Sequence, residues 1–441
     1  MKRKILQQLI KWKNAPGRKP LILQGARQVG KTWLLKFFGD QYFEDTAYFN
    51  FERQPELKQF FTNSKDPKRI LENLSLVYGK AILPQKTFIV FDEIQECNEA
   101  LNALKYFNEE APEYAIASAG SLLGVAMSRG NSFPVGKVEF LQIYPLTFSE
   151  FLLEADSGLF HFLENIEKLE EIPDIFFNPL TEKLKMYFLS GGMPEAVVAL
   201  LEYRDIQKMQ DVLQNILNAY TLDFSKHVEN KNIPKIKYIW SSLPSQLARE
   251  NKKFLYQSIK SGARAREYED ALLWLMNAGL VYRICCTVKP AIPLSAYDDL
   301  TAFKIYLPDV GLLRRLSLLD SIAIVEGSRL FTEFKGALTE NYILSSLLQQ
   351  FEGLPRYWKS GNKAEIDFLV QYENTIIPME VKSDENIRSK SLAFYRKKYN
   401  PQLSVRYSLR NLKQENGLIN IPLFMADYTS KLISFNWKSN K

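Results

Sequence analysis

Over its first 120 residues the chain alternates short apolar runs with helix-periodic stretches. Residues 21–23 (LIL), 47–51 (AYFNF), 87–91 (TFIVF) and 114–119 (YAIASA) are β-rich and apolar throughout, as buried strands are. Between them, residues 33–38, 56–78 and 98–110 repeat at the helical period. Alternating strand and helix predicts a parallel sheet covered by helices on both faces, with ligand at the carboxyl ends of its strands. A leader helix over residues 1–20 ends at the turn signal Asn14-Ala15-Pro16-Gly17. Residues 140–200 read as helical, with a break at Ser190-Gly191-Gly192-Met193-Pro194, and 205–290 keep the helical period. Residues 270–278 (DALLWLMNA) are strongly amphipathic, Gly279 stops them, and 280–285 (LVYRIC) read as a strand. Helix, short turn, helix, strand is a winged-helix pattern; a helical domain that packs on the N-terminal part of the chain or on another subunit gives the same pattern. A strand at 302–307, a helix at 309–319 and a long helix at 331–351 follow, then strands at 356–359, 364–370 and 375–381.

The first chemical signal lies where the opening strand gives way to helix. Gly25-Ala26-Arg27-Gln28-Val29-Gly30-Lys31-Thr32 fits G-x-x-x-x-G-K-[ST] in the strand–loop–helix context that this motif needs. Backbone N–H groups of such a loop form an anion nest, and the helix N-terminus adds free donors and partial positive charge. Lys31 is placed to reach the β- and γ-phosphates of a nucleotide, and the Thr32 hydroxyl to ligate Mg²⁺. The strand at 87–91 ends in Asp92 and Glu93. An aspartate at the end of a strand beside the phosphate-loop strand holds Mg²⁺. The adjacent glutamate orients or deprotonates the attacking water. An acidic pair here also marks a helix N-terminus. Ser121, after the fourth strand, would sit between the ends of the two motif strands and sense the γ-phosphate; as a loop residue it would cap a helix. Arg129 is a surface arginine or an arginine finger, acting in cis or on a neighbour in a homo-oligomer.

The second signal is C-terminal. Asp367 lies in residues 364–370 (AEIDFLV), and 375–381 (TIIPMEV) lead into Glu380-Val381-Lys382. The D-x12-E-x-K spacing matches the PD-(D/E)xK nuclease core. There Asp367 and Glu380 would bind Mg²⁺ through oxygen, with Glu340 on the preceding helix as a third carboxylate. Period two places Glu380 and Lys382 on one face, where Lys382 would activate water or stabilise the phosphorane. A charged pair on an edge strand, solvated and inert, has the same pattern.

Composition narrows the class. The chain of 441 residues suits roughly three domains. It is 46% hydrophobic and 24% charged, as globular proteins are. Its net charge of +7 is spread along the sequence and is compatible with nucleic acid. No apolar run reaches the ~18 residues of a membrane span, and the basic start has no secretory core. Two histidines and three cysteines without a C-x-x-C pair argue against zinc and point to the reducing cytoplasm.

The chain resembles prokaryotic AAA-type P-loop ATPases that end in a domain of unknown function with a PD-(D/E)xK-like core. The matching segments are GARQVGKT (25–32), FIVFDEIQ (88–95), AGSLLG (119–124), FPVGKVEFLQIYPLTFSEFL (133–152), SGGMPEA (190–196), DVGLL (309–313), KGALTENYIL (335–344), KAEIDFLV (363–370) and MEVKS (379–383). The resemblance implies an α/β fold: an AAA-type ATP-binding domain over 1–155, a helical lid over 156–204, a winged-helix-like domain over 205–300 and a nuclease-like domain over 301–441. It implies ATP and Mg²⁺ as cofactors, with Lys31, Thr32, Asp92 and Glu93 in the ATPase roles and Glu340, Asp367, Glu380 and Lys382 in the nuclease-like ones. Where this resemblance leads one to expect arginine in a G-R-V-E segment, the chain has Lys137, which cannot offer the same bidentate fork. Two functions are consistent with these parts. One is an ATPase acting on or regulated by DNA, met by Arg264 and Arg266 at the start of a recognition helix and by the C-terminal domain. The other is a slow nucleotide-gated switch whose C-terminal domain is a non-cutting interaction module.

Overall fold

Five parallel strands carry the N-terminal chemistry. A computed structural model of the chain describes all residues except 122–123, 125–135, 250–251, 322–331, 362, 384–388 and 440–441. It divides into two compact units. One comprises Lys2–Tyr144 and Leu273–Leu280; the other comprises Pro145–Leu272 and Val281–Lys441, with Met1.

In the first unit, helix α1 (Leu6–Asn14) precedes β1 (Leu21–Gln24), α2 (Lys31–Tyr42), β2 (Asp45–Asn50), α3 (Lys58–Asn63), α4 (Pro67–Tyr78), β3 (Thr87–Asp92), α5 (Asn98–Glu110), β4 (Ala115–Ala119) and β5 (Glu139–Gln142). The sheet order is β2-β3-β4-β1-β5, every pair parallel. All six residues of β3 are buried, as a central strand covered on both faces requires. Phe49, Phe51, Phe61, Phe91 and Phe107 form the core on one side of it.

Three expectations change here. The helix expected over 56–78 is two helices, because Asp66 caps α4 through the Lys68 amide at 2.9 Å and Pro67 takes the first helical position. The stretch expected to turn helical at residue 140 begins instead with β5, which fills the open edge of β1; the Ile143 amide donates to Gln24 O at 2.7 Å. The aspartate strand β3 is not beside β1: β4 stands between them, which places Ser121, at the end of β4, between the two motif strands.

The second unit opens with α6 (Phe148–Ala155), started by a capping box between Thr147 and Glu150. Helices α7 (Ser157–Glu164), α8 (Asp174–Ser190), α9 (Pro194–Leu201), α10 (Ile206–His227), α11 (Ile233–Leu247) and the part of α12 (Ala265–Asn277) before Leu273 follow. Then come β6 (Tyr282–Thr287), β7 (Asp298–Tyr306), α13 (Val310–Leu316), α14 (Thr332–Leu347), β8 (Arg356–Ser360), β9 (Ala364–Tyr372), β10 (Thr375–Val381), α15 (Lys390–Tyr399), β11 (Ser404–Ser408), β12 (Lys413–Glu415), β13 (Leu418–Pro422) and α16 (Thr429–Ser439). One eight-stranded sheet runs β12-β13-β11-β10-β9-β8-β6-β7. β8, β9 and β10 form an antiparallel meander, and β11 lies parallel to β10.

The short turn expected before the recognition helix is instead the segment 248–264, whose Phe254 amide donates to Phe303 O at 2.8 Å. The strand expected after that helix is β6, which pairs antiparallel with β7 and parallel with β8, inside the large sheet. Two segments far apart in sequence meet at Asp309. This buried carboxylate caps α13 through the Leu312 amide at 2.8 Å and accepts the Gly192 amide at 2.6 Å. Its carboxyl is pushed up to about 6 by burial. No described helix is long and apolar enough to cross a membrane.

Candidate nucleotide site

β1 delivers the chain into the loop Gly25–Gly30, and α2 starts at Lys31. Gly25 (φ +151°), Gln28 (φ +67°) and Gly30 (φ +91°) take positive φ, which folds successive backbone N–H groups toward one concavity. Ala26 and Val29 are buried, Arg27 is half-buried and Gln28 is exposed. A Cβ on Gly25 would lie 2.2 Å from Ile143 O, a backbone atom that cannot swing away. Gly25→Ala is therefore expected to lower stability by about 1–3 kcal/mol and to abolish tight ATP binding. Thermal unfolding and nucleotide titration of the variant check both, and unchanged binding would refute the loop's assigned role.

Lys31 is buried, and its Nζ donates to Gly25 O and Ala26 O, each at 2.8 Å. Burial lowers its ammonium to about 8, against the pull of Glu93 and Asp92, with Arg27 adding a smaller push downward. The Thr32 hydroxyl donates to Asp92 Oδ2 at 2.9 Å, although sixty residues separate them. Asp92 is 3% exposed. The Glu93 amide donates to its other oxygen at 3.1 Å. Glu93 sits at φ 50°, an uncommon conformation for a residue with a side chain. Ser121 Oγ lies 3.1 Å from both Glu93 oxygens, and Gln95 Nε2 donates to Oε2 at 2.6 Å. Ser121 thus touches the glutamate directly.

ATP and Mg²⁺ fit these residues. The loop is a cradle that a Cβ at Gly25 would obstruct, and Thr32 and Asp92 converge as the hard oxygen donors that Mg²⁺ takes. When bound, the metal supplies charge neutralisation at the phosphates.

Several residues of this site escaped the sequence reading. The Tyr48 hydroxyl donates to Asp92 Oδ2 at 2.6 Å and is pushed up to about 12, by burial first and then by that bond. Asn50 Nδ2 donates to Tyr48 Oη at 3.3 Å. Period two along AYFNF places both on one face at the strand end, which is the signal that could have found them. Arg3, read only as part of a basic leader, is 8% exposed. It donates to Val29 O at 3.0 Å and to Tyr144 O at 2.6 Å. Gly279, read as a helix stop, lies against the loop: a Cβ there would be 3.4 Å from Ala26 N. Lys137 pairs with Glu109 at 2.9 Å in a half-exposed ion pair. Arg129 lies outside the described residues.

In the second unit the structure gathers Glu340, Asp367, Glu380 and Lys382 around β9 and β10. Asp367 Oδ2 accepts the Val381 amide at 2.8 Å, and Lys382 Nζ is 3.3 Å from Glu380 Oε1. The Asp367 carboxyl is pushed up to about 7, first by burial and then by Glu340. Burial alone would raise Glu340, but Lys252 and Lys304 hold it below the ordinary carboxylate range. Arg264 and Arg266 are both exposed at the start of α12.

Residues 17–152 match a family model described as an AAA domain. Residues 181–322 and 335–424 match two models described as domains of unknown function, DUF8612 and DUF4143. The first part of the chain thus carries a region similar to AAA-type P-loop domains. Among solved structures, the Walker-type ATPase PABY2304 of Pyrococcus abyssi is similar at 13% identity and a TM-score of 0.43, over 71% of this chain and 95% of that one. The Orc1 protein of Aeropyrum pernix in complex with DNA is similar at 13% identity and a TM-score of 0.26, over 73% and 92%. Cdc6p from Pyrobaculum aerophilum is similar at 13% identity and a TM-score of 0.22, over 73% and 93%. No curated protein matches the chain significantly.

Proposed function

We propose that the chain is a Mg²⁺-dependent ATPase that acts on, or is regulated by, DNA. The observation that carries the hydrolytic reading is the 2.9 Å approach of Thr32 Oγ1 to Asp92 Oδ2, with Glu93 as the next residue. The loop amides and Lys31 bind the phosphates, and Thr32 and Asp92 hold the metal. Glu93 orients the attacking water and takes its proton, and Ser121 positions Glu93. The helix α14, the meander β8–β10, the helix α15 and the parallel strand β11 support a nuclease-like reading of the C-terminal domain. The exposed Arg264 and Arg266 support a DNA contact at the start of α12.

Phosphate release by the full chain with Mg²⁺, with and without plasmid DNA, tests this. DNA should raise turnover, and the stimulation should fall steeply with salt. Arg264→Ala combined with Arg266→Ala should weaken the stimulation without changing basal turnover. Turnover indifferent to DNA at low salt would sink the DNA part of the reading.

One observation favours a second reading, a slow nucleotide-gated switch with a non-cutting C-terminal module. Both Glu93 oxygens are already engaged by Ser121, and one also by Gln95, so the base must be released before it can meet water. Under that reading turnover is slow, and Ser121→Ala accelerates it.

A further inference from the structure

The carboxylates of the C-terminal sheet are met by ammonium groups. Lys304, on β7, is 1% exposed. Its Nζ lies 2.6 Å from Glu365 Oε1 and 3.8 Å from Glu340 Oε2, and 5.0 Å from the centre of the Tyr357 ring. Lys252 pairs with the other oxygen of Glu340. The Tyr306 hydroxyl donates to Glu340 Oε2 at 3.0 Å. Asp367 takes a backbone amide, and Lys382 and the Ser389 hydroxyl share Glu380 Oε1. Glu380 Oε2 alone of these oxygens is buried with no hydrogen-bond partner.

A divalent cation asks for something different. Mg²⁺ takes near-octahedral oxygen ligands at roughly 2.0–2.1 Å, with lone pairs free to face it. Both oxygens of Glu340 already face protonated donors. A lone orphaned oxygen on Glu380 does not make such a set. Among the described residues no group of three histidine, cysteine, aspartate or glutamate side chains is placed to hold a metal. The charge is also largely balanced. Four carboxylates, Glu340, Glu365, Asp367 and Glu380, face three ammonium groups, Lys252, Lys304 and Lys382. The donor set therefore does not fit the Mg²⁺ that a nuclease-like core would imply.

We propose that the buried ammonium group of Lys304 and the part-buried one of Lys252 stand in the place a divalent cation would take, so that the C-terminal domain binds no metal and does not cut. Lysine suits the role: its ammonium is compact and carries three donors without an acceptor. The cluster instead fastens four segments to one another, namely the segment after α11, β7, α14 and β9. This inference is independent of ATP hydrolysis and stands or falls without it.

The test is a Mn²⁺ titration of the nucleotide-free full chain, read by electron paramagnetic resonance, in wild type, Glu340→Gln and Glu380→Gln. All three should bind the same number of ions, because any Mn²⁺ at the nucleotide site is common to them. One ion fewer in either variant would overturn the proposal. Glu380→Gln, at the margin of the cluster, keeps the test decisive should Glu340→Gln fail to fold. Lys304→Met should lower Tm by roughly 10 °C in chelator, because it strips a buried cation from its carboxylates. A Tm unchanged by that substitution would equally overturn the proposal.

Discussion

Lys31→Ala protein is expected to bind Mg·ATP about a hundredfold more weakly than wild type while keeping its fold. The ammonium already lies in the loop, 2.8 Å from Gly25 O and Ala26 O, and needs only to exchange these carbonyls for phosphate oxygens. A hydrogen bond from a charged donor contributes about 1.5–3 kcal/mol, and two of them to phosphate account for a loss of about 3 kcal/mol, or about a hundredfold. Titration calorimetry at pH 7 measures it directly. Affinity within a few-fold of wild type would remove Lys31 from the site.

The same residue sets a pH signature. Burial holds the free protein's ammonium at about 8, well below an ordinary lysine. Bound phosphates favour the charged form and raise it again. Below pH 8 the charge is already present, and affinity should be level. Above pH 8 binding must draw in a proton, so affinity should fall by up to about tenfold per pH unit until the bound-state value is reached. Lys31→Ala should lose this slope altogether. A slope of the opposite sign would contradict the assignment.

Glu93→Gln is expected to bind Mg·ATP as wild type does and to release phosphate about 10²–10⁴ times more slowly, the range over which a positioned general base acts. Glutamine is isosteric and retains a carbonyl oxygen for the Ser121 hydroxyl, so the strained conformation at φ 50° keeps most of its support. What is lost is the proton acceptor. Single-turnover phosphate release beside equilibrium binding separates the two effects. A loss of binding equal to the loss of rate would show a structural role instead, and turnover within tenfold of wild type would reassign the base.

Local signals were legible wherever one element contained them. The loop from Gly25 to Thr32, the apolar run of β3 with Asp92 at its end, α5 over Asn98–Glu110 and β10 over Thr375–Val381 each follow from a pattern held within a dozen residues or so. Period two put Glu380 and Lys382 on one face, and the structure adds that Lys382 Nζ lies 3.3 Å from Glu380 Oε1. Local signals failed where a neighbour decided. β5 alternates too weakly to be read as a strand, and it is one because the edge of β1 was open to it. The strand expected over 280–285 formed as β6 but joined a larger sheet, because β8 offered it a partner.

The sequence by itself determined the loop from Gly25 to Thr32, the acidic pair at the end of β3 and the alternation that makes a parallel sheet, because glycine conformations, helix starts and strand periods are set by near neighbours. Only the tertiary structure decided which polar groups meet. Tyr48 on Asp92, Ser121 and Gln95 on Glu93, Arg3 on Val29, and Lys252 and Lys304 on Glu340 are all pairings made across elements. Nothing in the one-dimensional pattern distinguishes a lysine bound for solvent from one that will be buried against a carboxylate. That outcome depends on which elements pack together, and on the need of each buried charge for a partner.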